Sequence, residues 1–141
     1  EESFRNYIEN YFKLNPDMTE QIIFTGNITN RAELFKWYNK AKIFCLTSRF
    51  EGFPITFPEV LYFGNYILST PVSSALEITN HNQFGRIVDP KAHDFAQALT
   101  ECMAEGYLNK QKFEAIVQFS RAYFTWPLII KKLSEKLNNN A

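Results

Sequence analysis

The sequence predicts an α/β fold, a doubly wound parallel sheet with helices on both faces. Three observations carry that prediction. Short apolar runs alternate with amphipathic stretches. The runs are apolar at successive positions, as strands buried on both faces must be. Every connection between them has room for a helix, which parallel pairing requires.

Phe4, Tyr7, Ile8, Tyr11 and Phe12 fall at the i, i+3, i+4, i+7, i+8 spacing of one helical face. Asn15-Pro16-Asp17 ends that helix. Ile22 to Gly26 reads as a buried strand stopped by glycine. Asn30 precedes Glu33 by three, a capping-box-like start. The helix that follows carries Leu34, Phe35, Trp37, Tyr38 and Ala41. Ile43 to Ser48 is the second strand. A polar-aromatic loop, Arg49 to Phe53, leads into a helix that Gly64-Asn65 stops. Tyr66 to Thr70 is the third strand, ended by Pro71, and a short helix spans Ala75 to Thr79. Gly85 to Val88 is a brief fourth strand. Asp94 is expected to cap a helix carrying Phe95, Leu99, Cys102 and Met103. Phe113, Ile116 and Val117 mark another helix. The last starts near Trp126-Pro127, where proline suits a first turn, and carries Ile129, Ile130, Leu133 and Leu137. Asn138-Asn139-Asn140 is expected to fray.

Composition narrows the function classes. The chain has 141 residues, 45% apolar and 21% charged, so one domain with a real core is expected rather than disorder. Fifteen basic and fifteen acidic residues cancel. Broad nucleic-acid or anionic-lipid binding is therefore not expected, although a local basic site is allowed. Cys45 and Cys102 are the only cysteines and show no metal-ligand spacing, so both are expected to be reduced core thiols. His81 and His93 are expected in surface or capping roles. Arg49 and Arg86 lie near the expected site end of the sheet, where a surface ion pair is the favoured role for each. No run approaches the roughly 20 apolar residues of a membrane span. The acidic start, without an initiator Met, reads as the middle of a longer product.

Parallel sheets bind ligands at the carboxyl ends of their strands. That directs attention to loops 26–30, 48–54, 70–75 and 88–93. Loop 48–54, Ser48-Arg49-Phe50-Glu51-Gly52-Phe53-Pro54, leaves a strand and enters a helix start. Such a start offers unpaired N–H groups and suits a phosphate or pyrophosphate. Gly52 lets a ligand approach the backbone. Glu59, expected about five residues into the helix and roughly 7 Å along its axis, cannot sit on the phosphate, because the two would repel. It can accept hydrogen bonds from a diol beyond it. Glu51 can meet hydroxyls on the other side. The ligand that fits has hydroxyl, diphosphate and hydroxyl in series, as a nucleotide sugar does. Alone, two glutamates with seven residues between them are ordinary surface charges; their position on this loop and helix start sets them apart.

The stretch EGFPITFPEVLYFGNYILST resembles the signature of family 4 glycosyltransferases, which have the GT-B fold. Glu51, Gly52, Phe53, Pro54, Glu59 and Gly64 fall on that signature. FTGNITNRAELFKWYNKAKIFCLTS, SALEITNHNQFGRIVDP and FTWPLI resemble its flanking segments in order. The chain departs from the family pattern with Ser73-Ser74 for a glycine pair, Val60 for alanine and Tyr66 for proline. Pro58 stands directly before Glu59, so the helix must start no earlier than about Ile55 or be distorted.

The resemblance implies the Rossmann-like, donor-binding half of a retaining glycosyltransferase, residues 1–141 forming one truncated nucleotide-sugar-binding domain. It implies that the half's first strand-helix-strand unit, with its diphosphate-binding Arg and Lys, lies outside the chain. It places Glu51 as the catalytic residue on the donor sugar. Gly52, Phe53, Pro54, Ile55, Glu59, Gly26 and Asn27 would bind the donor, with Glu59 on the ribose. No metal and no cofactor is implied; the substrate is a UDP- or GDP-linked sugar, passed to a glycan, lipid or small-molecule acceptor, as in polysaccharide biosynthesis. The implied partner is an acceptor-binding N-terminal domain of the same protein, with a cytoplasmic location and room for peripheral membrane contact through that domain. The 141 residues alone are expected to be inactive, with the apolar stripe of the last helix covered by the acceptor half. The alternatives are a non-catalytic α/β protein-interaction module and a different GT-B enzyme such as a sugar-nucleotide epimerase; the Glu51–Glu59 spacing weighs against the latter.

Overall fold

A computed structural model describes residues 2–104 and 108–138. The chain divides into two compact units, Glu1–Leu34 and Phe35–Ala141.

In the first unit, helix α1 (Glu2–Leu14) presents the expected aromatic face. Asn15 closes it, its amide donating to the Tyr11 carbonyl at 2.9 Å. A single 3-10 turn, Pro16–Met18, follows. The expected strand at Ile22 to Gly26 does not form, and Ile23 is 69% exposed. Apolar composition alone does not make a strand; it needs a neighbouring edge to take its N–H and C=O groups. Within the unit the segment's main aromatic contact is Phe24 edge-on to Phe12, with centroids 5.9 Å apart. Helix α2 (Arg31–Lys40), whose residues from Phe35 on belong to the second unit, starts where expected. The Asn30 side chain accepts from the N–H groups of Ala32 and Glu33.

The second unit holds a parallel sheet of three strands, β1 (Ile43–Leu46), β2 (Tyr66–Ser69) and β3 (Gly85–Ile87), in the order β1-β2-β3. Ile43 to Leu46 pair with Tyr66 to Ser69, and Ile67 to Ser69 pair with Gly85 to Ile87. The α/β class is thus as predicted. The helices are α3 (Thr56–Tyr62), α4 (Ala75–Ile78), α5 (Ala92–Ala104), α6 (Lys110–Tyr123) and α7 (Trp126–Asn138). Asn138 is the last residue of α7; Asn139 and Asn140 of the expected frayed end lie outside the described residues.

The core sits around β2, all four of whose residues are buried. Phe57, Val60 and Leu61 of α3, Ile116 of α6, and Ala98 and Cys102 of α5 are buried with it. Phe35, Tyr38, Phe44, Phe57 and Phe63 form a chain of ring contacts, each 5.2 to 6.3 Å between centroids.

Gly64-Asn65 stops α3 as expected. The Gly64 N–H donates to the Leu61 carbonyl and the Asn65 N–H to the Val60 carbonyl, a Schellman pair, with Gly64 at φ +79°. A Cβ on Gly64 would also stand 2.2 Å from the Phe113 ring. Asn65 does more than end a helix. Its buried amide donates to the carbonyls of Tyr38, at 2.9 Å, and Ala41, tying the end of α2 to the start of β2.

Two sequence expectations are corrected. Asp94 is not a cap: α5 begins at Ala92, so Asp94 stands inside its first turn, where a carboxylate still suits the helix dipole. Cys45 is not a core residue. It lies on edge strand β1 and is exposed, while Cys102 is buried. The Cys45 thiol itself is crowded by neighbouring atoms, which pushes its pKa up, and the nearby Cys102 adds to this.

Candidate functional site

At the carboxyl end of the sheet, the segments after β1 and β2 are fastened together. The Thr70 N–H continues the ladder to the Leu46 carbonyl at 3.1 Å. The Thr70 hydroxyl donates to the Ser48 carbonyl. The loop that carries Glu51 is therefore held at its root by the residue that follows β2. Sequence reasoning read Thr70 only as a strand end. Its one visible signal was a hydroxyl residue standing directly before Pro71, where the strand has to stop.

From Ser48 the chain runs irregularly through Glu51, Gly52, Phe53 and Pro54 before α3. Pro54 is buried and its carbonyl accepts from the Phe57 N–H at 2.9 Å. That turn uses one of the helix-start donors expected for a phosphate. Pro58 falls third in α3, inside the first turn, where its missing N–H costs nothing. Glu59 is consequently the fourth residue, about 4.5 Å from the helix start rather than 7 Å. The helix begins at Thr56, within the limit that Pro58 sets.

Glu51 and Glu59 are both half-buried and share this one connection. Gly52, Phe53 and Ile55 are exposed. A Cβ on Gly52 would meet nothing within 4 Å. Packing does not demand glycine there. Gly26 and Asn27 belong to the first unit, where both are exposed and Gly26 takes φ +64°.

The helix bearing Glu59 is firmly seated. Phe57, Val60 and Leu61 bury one face completely. The Ser120 hydroxyl of α6 reaches the Pro58 carbonyl at 3.5 Å. In the next loop Ser74 takes φ 58°, the left-handed region that favours glycine. It is one of the two serines that stand where the family pattern has a glycine pair.

Arg86 does not stand free for phosphate. Its Nη1 pairs with Glu101 Oε2 at 2.6 Å, the ion pair the sequence favoured. Glu101 Oε1 accepts from Gln97 Nε2 at 2.8 Å. That hydrogen bond, and then the one from Arg86, hold the Glu101 carboxyl below the usual carboxylate range. His81 and His93 are exposed, and Arg49 is exposed in its loop. Among the described residues, no cluster of three or more His, Cys, Asp or Glu could hold a metal ion, and no helix is long and apolar enough to cross a membrane.

A family model described as "Glycosyl transferases group 1" matches residues 7–117. Sucrose-phosphate synthase from Thermosynechococcus elongatus has a similar structure, with a TM-score of 0.72 at 21% sequence identity. The match covers 99% of this chain and 35% of that one, so the chain spans about a third of its length. Comparison with curated proteins gives no match. The family match takes in both glutamates, the loop between β1 and α3, and the whole three-stranded sheet: the chain belongs to the group 1 glycosyl transferases.

Proposed function

We propose that these residues are the donor-binding part of a retaining glycosyltransferase. The observation that carries the reading is the placement of Glu51 and Glu59 on one tethered strand-to-helix connection at the carboxyl end of a parallel sheet. Glu59, on a buried and well-seated helix, accepts hydrogen bonds from the ribose hydroxyls. The Gly52 and Phe53 amides meet the diphosphate and the sugar. Neither φ nor packing requires glycine at 52, which supports close approach of a ligand there. Ile55 and Pro54 complete the donor contacts.

Glu51 acts on the sugar side as the catalytic residue. Chemistry is then mostly positioning and stabilisation of charge as the nucleoside diphosphate leaves. The donor is a UDP- or GDP-linked sugar; the acceptor is a glycan, lipid or small molecule, bound by another domain of the same protein. The exposed stripe on α7, with Trp126 75% and Ile130 61% exposed, fits a face covered by that domain. The 141 residues alone bind donor without transferring it. The protein works in the cytoplasm, at the inner face of a membrane where its acceptor is a lipid.

The test is transfer by the intact protein from a panel of UDP- and GDP-sugars, with the product's anomeric configuration read by NMR. Transfer with retained configuration is expected, with turnover lowered in Glu51→Gln. An inverted product, or transfer unchanged in Glu51→Gln, overturns the reading.

A further inference from the structure

At the opposite end of the sheet, where the strands begin, lies a cleft of about 330 Å³. Lys40 and Lys42 lead into β1, Gly64 precedes β2, and Lys110 and Phe113 come from α6; all line it. No acidic residue is among the described residues that line it. The chain as a whole carries zero net charge, so three lysines on one small concavity are a local excess. A cleft of this size is roughly 9 Å across, close to the ~8 Å Debye length at physiological salt, so charges around it feel one another.

Lys110 and Lys40 are loosely held where they are. Lys110 Nζ is 3.8 Å from Glu114 Oε1, an exposed pair that contributes little. Lys40 rests 5.6 Å from the centre of the Trp37 ring. A fourth cation stands at the same end: Lys112 Nζ lies 5.9 Å from the Tyr66 and Phe84 rings, at the starts of β2 and β3. Gathering like charges this way opposes folding, and a bound anion offsets it.

We propose that this cleft is a second anion site that takes a phosphate-bearing ligand. Its volume is at the low end of the ~300–1,000 Å³ span of small-molecule sites, which suits a phosphate or pyrophosphate group rather than a whole nucleotide. Ammonium groups bind phosphate as point charges, without the planar fork a carboxylate-reading arginine offers. The site is separate from the candidate donor site. Strands of four residues rise about 13 Å, and the two lie at opposite ends of them.

The test is residue-resolved lysine acetylation of the intact protein, read by peptide mass spectrometry, with inorganic pyrophosphate as the probe. At ten times the dissociation constant, mass action leaves about a tenth of the sites empty. Acetylation of Lys40, Lys42 and Lys110 should fall towards tenfold, while Lys131 and Lys136 on α7 react unchanged. In Lys42→Glu the protection should disappear at the two remaining cleft lysines, Lys40 and Lys110. A parallel arm uses phosphatidylglycerol vesicles: protection by vesicles and not by pyrophosphate assigns the phosphate to a lipid headgroup. Uniform slowing of all lysines, or none with either probe, overturns the proposal. Donor binding through Glu59 can fail without touching this result.

Discussion

Two segments of this chain look alike as sequence and end differently. Tyr66-Ile67-Leu68-Ser69 and Ile22-Ile23-Phe24 are both short apolar runs that read as buried strands. The first is the fully buried middle strand of the sheet. The second joins no strand, and Phe24 is 64% exposed. What separates them is the set of neighbours. The 66–69 run has a strand on each side, a Schellman turn that delivers it at Gly64, and Asn65 bonded to the end of α2. The 22–24 run has an aromatic contact and no ladder in the described structure. A strand is made by its partners, and apolar composition only makes it eligible.

Mutations should break or sharpen that contrast. Leu68→Ala, at a wholly buried site, should cost about 2–5 kcal/mol in urea unfolding. Ile23→Ala should stay within about 1 kcal/mol, because most of that side chain already meets water. Equal losses would mean the two runs share one structural role after all. Gly64→Ala tests the delivery turn: the left-handed φ alone costs ~1–2 kcal/mol, and the Phe113 ring adds to it. Ser74→Gly should do the reverse, raising stability by up to about 1 kcal/mol by relieving the same kind of strain. The smallest effect lies beyond β3. Glu101 has a lowered folded pKa, so its contribution is present above the ordinary carboxylate range and is lost as pH falls through the folded value. Urea midpoints measured from pH 7 down to 3 should fall less steeply in Glu101→Gln.

Much of the architecture was legible because periodicity and punctuation agreed. The Asn30 cap, the Gly64 stop and the Trp126-Pro127 start all lie where the local chemistry demands. Pro58 was legible too: its chemistry confined it to a first turn, and it stands in one. Asp94 was misplaced because a carboxylate serves equally as a cap or inside the first turn. Cys45 was misplaced because burial of a strand depends on whether something covers its outer edge, and sequence does not reveal edges.

The loop carrying Glu51 and the helix start carrying Glu59 were legible from position alone, after a strand. The loop's tether was not, since Thr70 reaches Ser48 across 22 residues. Thr70→Val keeps the strand's shape and removes that bond; it should weaken donor binding several-fold while leaving Glu59 in place.

The central claim is that Glu59 holds a ribose diol. Calorimetric titration of the intact protein with its nucleoside diphosphate, wild type against Glu59→Gln, tests it most directly. Hydrogen bonds to a charged group contribute about 1.5–3 kcal/mol, so affinity should fall roughly ten- to a hundredfold. Wild-type affinity in Glu59→Gln would contradict the account.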